Sequence, residues 1–252
     1  MRVMVCVKQI PDPASPYELD PDTHYLLRPT DQVLDDTDRY GVEMGLMIAE
    51  QTEGSVALVS MGPAGNLQGI RQALAMGADK AIVIDDPSLR GADSLTTARI
   101  LSAAVKREGY DVVIAGTEST DGYSGVVPQQ IAELLDAPAL TFAKKVELDG
   151  ATIRIERQTE YGYDIVEAPT PVVITVTAGV VEPRYPTFKG IMAAKSKPID
   201  QVTAADLEVT VTAGQEIISV RSAPERAAGE IIEDDGEAHL RIIQLLEQAK
   251  VI

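Results

Sequence analysis

Residues 55–84 read SVALVSMGPAGNLQGIRQALAMGADKAIVI. An apolar run at 55–60 meets a Gly and Pro turn, a helical pattern follows at 67–76, and a second apolar run closes the stretch at 80–84. Short apolar runs without polar alternation mark strands buried on both faces of a parallel sheet, and a helix between two of them makes the crossover that such a sheet requires. The unit recurs on either side. Residues 2–7 and 111–115 are further apolar runs, and 36–53 and 94–108 carry apolar residues at helical spacing, as Leu95, Ala98, Leu101 and Val105 do. Strand and helix in alternation predict an α/β fold with a doubly wound, mostly parallel sheet.

After another helical segment at 126–135 the rhythm changes. Residues 140–148 and 152–158 flank Asp149-Gly150, a dipeptide that supplies the positive φ of a tight turn, so an antiparallel hairpin is expected before 172–177 returns as a strand. From Val180 onward Pro183, Pro186, Pro198 and Pro224 interrupt the pattern, and 237–250 then reads as an amphipathic helix with Leu240, Ile243 and Leu246 on one side. The expected organisation is an α/β domain over 1–180, a loop and short helix over 181–199, and a C-terminal arm over 200–252.

The 252 residues are enough to bury a sizeable core. Lys and Arg number 22 against 39 Asp and Glu, a formal charge of -17, which opposes nucleic acid and anionic membrane as partners. The single cysteine, Cys6, has no internal disulfide partner, and no Cys and His grouping has metal-site spacing, so no metal is expected and a reducing compartment fits best. The chain enters RVMVCVKQI without a leader pattern, and no apolar run approaches the ~20 residues of a membrane span. A cytoplasmic protein without direct membrane insertion is expected.

Ligands of open α/β sheets bind beyond the carboxyl ends of the strands. One such end leads into SMGPAGNL at 60–67, a Gly and Pro turn without a dinucleotide fingerprint. Another leads into GTESTDGYSGVVPQQ at 116–130, where Thr117, Ser119, Thr120 and Ser124 hydroxyls gather with Gly122 and Gly125 just before a helix start. Backbone N–H groups and a helix N-terminus suit an anion there without any lysine. His24 and His239 belong to no nucleophilic constellation, and Cys6 sits within an apolar strand, the setting of an inert thiol. Asp35, Asp36 and Asp38 read as a helix-start cluster, caps and dipole partners rather than catalytic carboxylates. A nucleotide-sized site without catalytic machinery is the expectation.

One stretch remains unexplained by core periodicity: VEPRYPTFKGIMAAKSKPI at 181–199, with Phe188, one of two phenylalanines, between a threonine and a lysine. It resembles the most specific signature of the electron transfer flavoprotein beta subunits. VCVKQIPDP, SMGP, RQALAMGADKA, the STDG loop and APERAAG before the last helix match as well, so the resemblance covers essentially the whole chain.

The resemblance implies an adenine nucleotide alpha hydrolase-like fold and the non-catalytic half of a heterodimer. An alpha subunit holds most of the FAD; electrons arrive from acyl-CoA or other dehydrogenases and leave to a quinone oxidoreductase. The beta subunit's own pocket holds AMP structurally, and carried over here it comprises Cys6, Asp35, Asp36, Thr37, Asp38, Met61, Gly116, Thr117, Glu118, Ser119, Thr120, Asp121, Gly122, Tyr123, Ser124, Gly125, Val126 and Val127. Members with AMP often carry an Asn-Gln-Thr segment where this chain has Tyr123 to Val127; electron-bifurcating relatives, with a second FAD, follow Asp-Gly with a different pattern again. Phe188, with Ile191 and Met192, is implied to dock partner dehydrogenases, Arg184 and Tyr185 to be structural, and the C-terminal arm to pack on the alpha subunit. A universal stress-type nucleotide sensor is the rival outside the family; it needs neither the Glu-Pro-Arg-Tyr loop nor the tail. A PP-loop ligase is a more distant one, lacking its Ser-Gly-Gly loop.

Overall fold

The computed structural model describes residues 1–212, 214–221, 229, 231–234 and 236–252; Pro224 and, apart from Gly229, the APERAAG motif lie outside them. Two compact units result, Met1–Ile217 and Ile218–Ile252. The first is built on a nine-stranded sheet whose strands are β1 (Arg2–Cys6), β4 (Ser55–Met61), β5 (Lys80–Ile84), β6 (Val112–Gly116), β7 (Ala139–Asp149), β8 (Thr152–Thr159), β9 (Gly162–Pro169), β10 (Val172–Val176) and β11 (Ile199–Val202). Their order is β11-β5-β4-β1-β6-β10-β7-β8-β9. All pairings from β11 to β7 are parallel, and β7 to β9 form an antiparallel extension. A separate two-stranded antiparallel sheet joins β2 (Gln9–Ile10) to β3 (Val33–Leu34).

Alternation along the strands explains their unbroken apolar character. Val3, Val5, Val56, Leu58, Val112 and Ile114 face one layer, with α1 (Asp38–Gln51) and α2 (Gln68–Met76); Met4, Ala57, Val59, Ile82, Val113 and Val173 face the other, with α3 (Ser94–Glu108) and α4 (Val127–Leu135). Both faces of the central strands are covered, so apolar side chains fill nearly every position, with Ser60 and Thr175 as buried polar exceptions. The chain runs outward from β1 through β4 to β5, then returns past β1 to β6, so strand order reverses beside β1. That reversal opens a crevice between the loops leaving β1, β4 and β6.

Beyond residue 180 the chain is more regular than its prolines suggest. Arg184 fixes the loop to α1: its Nε donates to Glu43 Oε2 at 2.8 Å, one terminal nitrogen to Glu43 Oε1 at 2.9 Å, and the other to Glu50 Oε1 at 2.8 Å. Helix α5 (Phe188–Ala194) begins at Thr187, whose hydroxyl accepts from the Gly190 N–H, and packs beside α2. Lys197 then donates to the carbonyls of Leu74, Gly77 and Ala78 at the end of α2, two of which lie beyond its last turn. With β11 added to the sheet edge, residues 181–217 lie within the unit Met1–Ile217. In the second unit, α6 (Ala238–Gln248) exposes Leu240, Ile242, Ile243 and Leu246. Among the described residues no helix is long and apolar enough to cross a membrane.

Candidate functional site

At the crevice lies a cleft of about 800 Å³, lined from the three strand ends by Cys6 and Lys8, by Met61, Gly62 and Pro63, and by Gly116 with the loop after it. From the expected set it gathers Cys6, Asp38, Met61, Gly116, Glu118, Ser119, Asp121, Gly122, Ser124, Gly125 and Val127. Asp35, Asp36, Thr37, Thr117, Thr120, Tyr123 and Val126 are not on its wall. A second groove of about 590 Å³, lined by Met44, Met47, Leu148 and Arg154 among others, lies away from the strand ends, between α1 and the antiparallel extension.

The helix-start aspartates have divergent roles. Asp35 is fully buried and acts as a brace: its carboxylate accepts from the Thr120 N–H at 2.7 Å, the Thr120 hydroxyl at 2.8 Å and the Thr37 hydroxyl at 2.9 Å. It therefore ties the loop after β6 to the start of α1. Asp36 points to solvent and pairs with Arg39 at 3.6 Å. Asp38 is buried at the cleft floor, where it accepts from the Lys8 N–H at 2.6 Å. Burial, then the Asp35 carboxylate, raises its carboxyl well above the ordinary value. Burial and Asp38 push the Cys6 thiol up to about 12, which favours its protonated form near neutral pH.

Two residues that pattern reading did not single out, Lys8 and Arg28, hold the anion-facing loop. Lys8 Nζ reaches Asp121 Oδ1 at 2.7 Å and the Ser119 hydroxyl at 3.3 Å, while Arg28 pairs with the other Asp121 oxygen. Arg28 also donates to the Gln9 carbonyl at 3.3 Å. The Asp121 side chain has no solvent exposure; burial opposes its charge, yet Lys8 and Arg28 hold its carboxyl below the ordinary value. No local signal marks such a pairing, because Arg28 and Asp121 lie 93 residues apart. Both cations are thereby occupied. The loop's backbone adds donors for an anion: the N–H groups of Ser124, Gly125, Val126 and Val127 meet no acceptor among the described residues, and they stand at the N-terminus of α4. Gly125 makes the approach with φ +64°, a conformation that a side chain disfavours. Oriented N–H groups and a helix dipole bind phosphate without a catalytic base.

Away from the cleft, Phe188 is 81% exposed, with Ile191 and Met192 exposed beside it on α5. Tyr185 is exposed too, under the Arg39 guanidinium at 5.5 Å from its ring centroid.

A cleft of about 800 Å³ at the switch point of a doubly wound sheet thus defines the class. The comparisons with known proteins specify it further. A family model described as the electron transfer flavoprotein domain matches residues 25–207. The electron transfer flavoprotein subunit beta of Mycobacterium tuberculosis (strain ATCC 25618 / H37Rv) is 40% identical over a 264-residue alignment covering 100% of this chain and 99% of the relative. That of Thermoanaerobacterium thermosaccharolyticum is 40% identical over 83% of this chain and 81% of its own length. The caffeyl-CoA reductase-Etf complex subunit CarD of Acetobacterium woodii is 31% identical over 92% of each. The chain belongs to the electron transfer flavoprotein family, among its beta subunits.

Proposed function

We propose that this chain pairs with an alpha subunit and closes over an FAD held mainly by that partner. The complex carries electrons from dehydrogenases, those acting on acyl-CoA in fatty acid oxidation among them, to a quinone oxidoreductase in the membrane, and works in the cytoplasm. The chain itself performs no bond-making step. The cleft takes AMP as a structural nucleotide, its phosphate on the N–H groups of Ser124 to Val127. The observation that carries this reading is the loop itself: donors that meet no acceptor among the described residues sit at a helix N-terminus, while Lys8 and Arg28 are already engaged by Asp121. Phe188, Ile191 and Met192 supply the apolar contact to the dehydrogenase, and α6 supplies the contact to the alpha subunit.

A second reading has one specific support, the likeness to a subunit of the caffeyl-CoA reductase-Etf complex: the same cleft then holds a second FAD, and the complex bifurcates electrons. The test of the carrier reading is direct. Mixing the purified heterodimer with an acyl-CoA dehydrogenase and its substrate should bleach the flavin absorbance of the heterodimer, with reoxidation on adding a quinone oxidoreductase. Absence of flavin reduction by any acyl-CoA dehydrogenase would remove the proposed donor class.

A further inference from the structure

Residues 18–27 leave the sheet as a small hairpin-like excursion. Leu19 and Leu26 form an isolated antiparallel bridge, the Asp20 N–H donates to the Tyr25 carbonyl at 2.8 Å, and the Leu27 N–H donates to the Glu18 carbonyl at 2.9 Å. The Asp20 carboxylate accepts from the Thr23 N–H at 2.8 Å, which closes the tip. Its residues His24, Tyr25 and Leu26, with Arg28 behind them, line the cleft.

The excursion is held unequally at its two ends. At the base, Arg28 is committed to the unexposed Asp121 side chain on the loop after β6, and Arg28 also bonds the Gln9 carbonyl. At the tip, the hydroxyl end of the Tyr25 ring lies against Gly91 on the opposite wall, where a Cβ would overlap the ring, and Gly91 has φ +77°. The other tip contact is Arg90 to Asp20 at 4.0 Å, with the Arg90 side chain 61% exposed. A buried charge pair at one end resists opening; an aromatic contact and a screened ion pair at the other resist little. The excursion therefore runs from one wall of the cleft to the other, fixed on the Asp121 side and releasable on the Gly91 side.

We infer that residues 18–27 are a strap over the nucleotide cleft, hinged at the Arg28–Asp121 pair and latched by Tyr25 on Gly91, which sets how fast the cleft exchanges its nucleotide. The inference rests on the reading of the cleft as a nucleotide site. A strap that blocks the mouth without binding the ligand slows entry and release alike and leaves affinity nearly unchanged, whereas loss of a ligand contact speeds release alone. The glycine has a positive role in this scheme, since only a residue without Cβ lets the ring seat.

The test uses the heterodimer, stripped of nucleotide with charcoal and reloaded with radiolabelled AMP, with release followed by a chase of unlabelled AMP and entry followed separately. Tyr25→Ala and Gly91→Ala should each raise both rates about ten-fold, equivalent to about 1.4 kcal/mol of latch lost, with affinity held within about three-fold. Tyr25→Phe keeps the ring and should behave as the unaltered protein. Gly91→Ala reaches the latch from the opposite wall, so the test stands even if Tyr25→Ala misfolds. Unchanged release in both alanine variants, or faster release with unchanged entry, would overturn the strap. The nucleotide found in the unaltered complex separates this from the AMP reading: if it is FAD, the same two rates are read on FAD and the strap stands while AMP falls. If the stripped cleft takes up neither nucleotide, the strap has nothing to retain and falls as well.

Discussion

Replacing Arg184 by methionine tests how the loop at 181–187 is held. Glu43 has a side chain only 7% exposed and accepts two side-chain bonds from Arg184, at 2.8 and 2.9 Å, plus the Arg184 N–H at 3.0 Å. Removing one partner of a buried ion pair costs about 3–5 kcal/mol, because the other charge is left without a counter-ion. Two features lower that figure here: the Arg184 N–H survives the substitution, and the Arg184 side chain is 37% exposed, so solvent screens part of the pair. The bond to Glu50 adds little, since that carboxylate is 61% exposed. The expected loss is about 2–3 kcal/mol, or roughly 4–12 °C in unfolding temperature for a unit of this size.

The assay is urea and thermal unfolding of the heterodimer at fixed protein concentration, with Glu43→Gln in both backgrounds. In the Arg184→Met background, Glu43→Gln neutralises the stranded carboxylate and should restore stability by about 1 kcal/mol or more. A cost for Arg184→Met within about 0.5 kcal/mol of zero, the range of an ordinary surface change, would refute the reasoning. So would a double variant no better than Arg184→Met alone.

Truncating Phe188 to alanine should leave flavin content untouched and weaken dehydrogenase docking by about 2 kcal/mol, roughly a 30-fold rise in the apparent KM for the dehydrogenase; unchanged electron transfer would show that Phe188 is no anchor. Asp121→Asn should cost about 2–3 kcal/mol near neutral pH, where the lowered carboxyl of Asp121 is fully charged. A lowered acid contributes stability above the ordinary carboxylate range and loses it as pH falls through its folded value, so the gap to the variant should narrow below about pH 4. A gap independent of pH would mean that the charge of Asp121 is not what holds the loop. Cys6, with its thiol pushed up to about 12, should resist iodoacetamide in the folded complex at pH 7.5 and react on addition of denaturant. Rapid alkylation in the folded state would contradict the environment assigned to it.

The central fold was legible because its strands are dry on both faces, which leaves continuous apolar runs, and the helix expected at 94–108 coincides with Ser94–Glu108. Strand β9 was missed for the opposite reason. GYDIVEAP lies where the sheet extends past its helical cover, most of its residues are at least partly exposed, and neither an apolar run nor clean alternation remains. Strand β11 is only four residues long and its central Asp200 and Gln201 are exposed, so Pro198 dominated the reading. Within the site, the loop after β6 announced itself through its glycines and hydroxyls. Its supports did not: Asp35 looks like a helix cap and proves to be a brace for Thr120, and the Lys8–Asp121–Arg28 grouping exists only after the fold brings three distant segments together.

The account turns on what the cleft and its partner hold. Co-expressing the chain with its alpha subunit, denaturing the purified heterodimer and quantifying the released nucleotides tests this most directly. The account predicts one FAD and one AMP per heterodimer, the AMP on the backbone of Ser124 to Val127. Two FAD and no AMP would contradict the proposed occupant of the cleft and make the complex a bifurcating one.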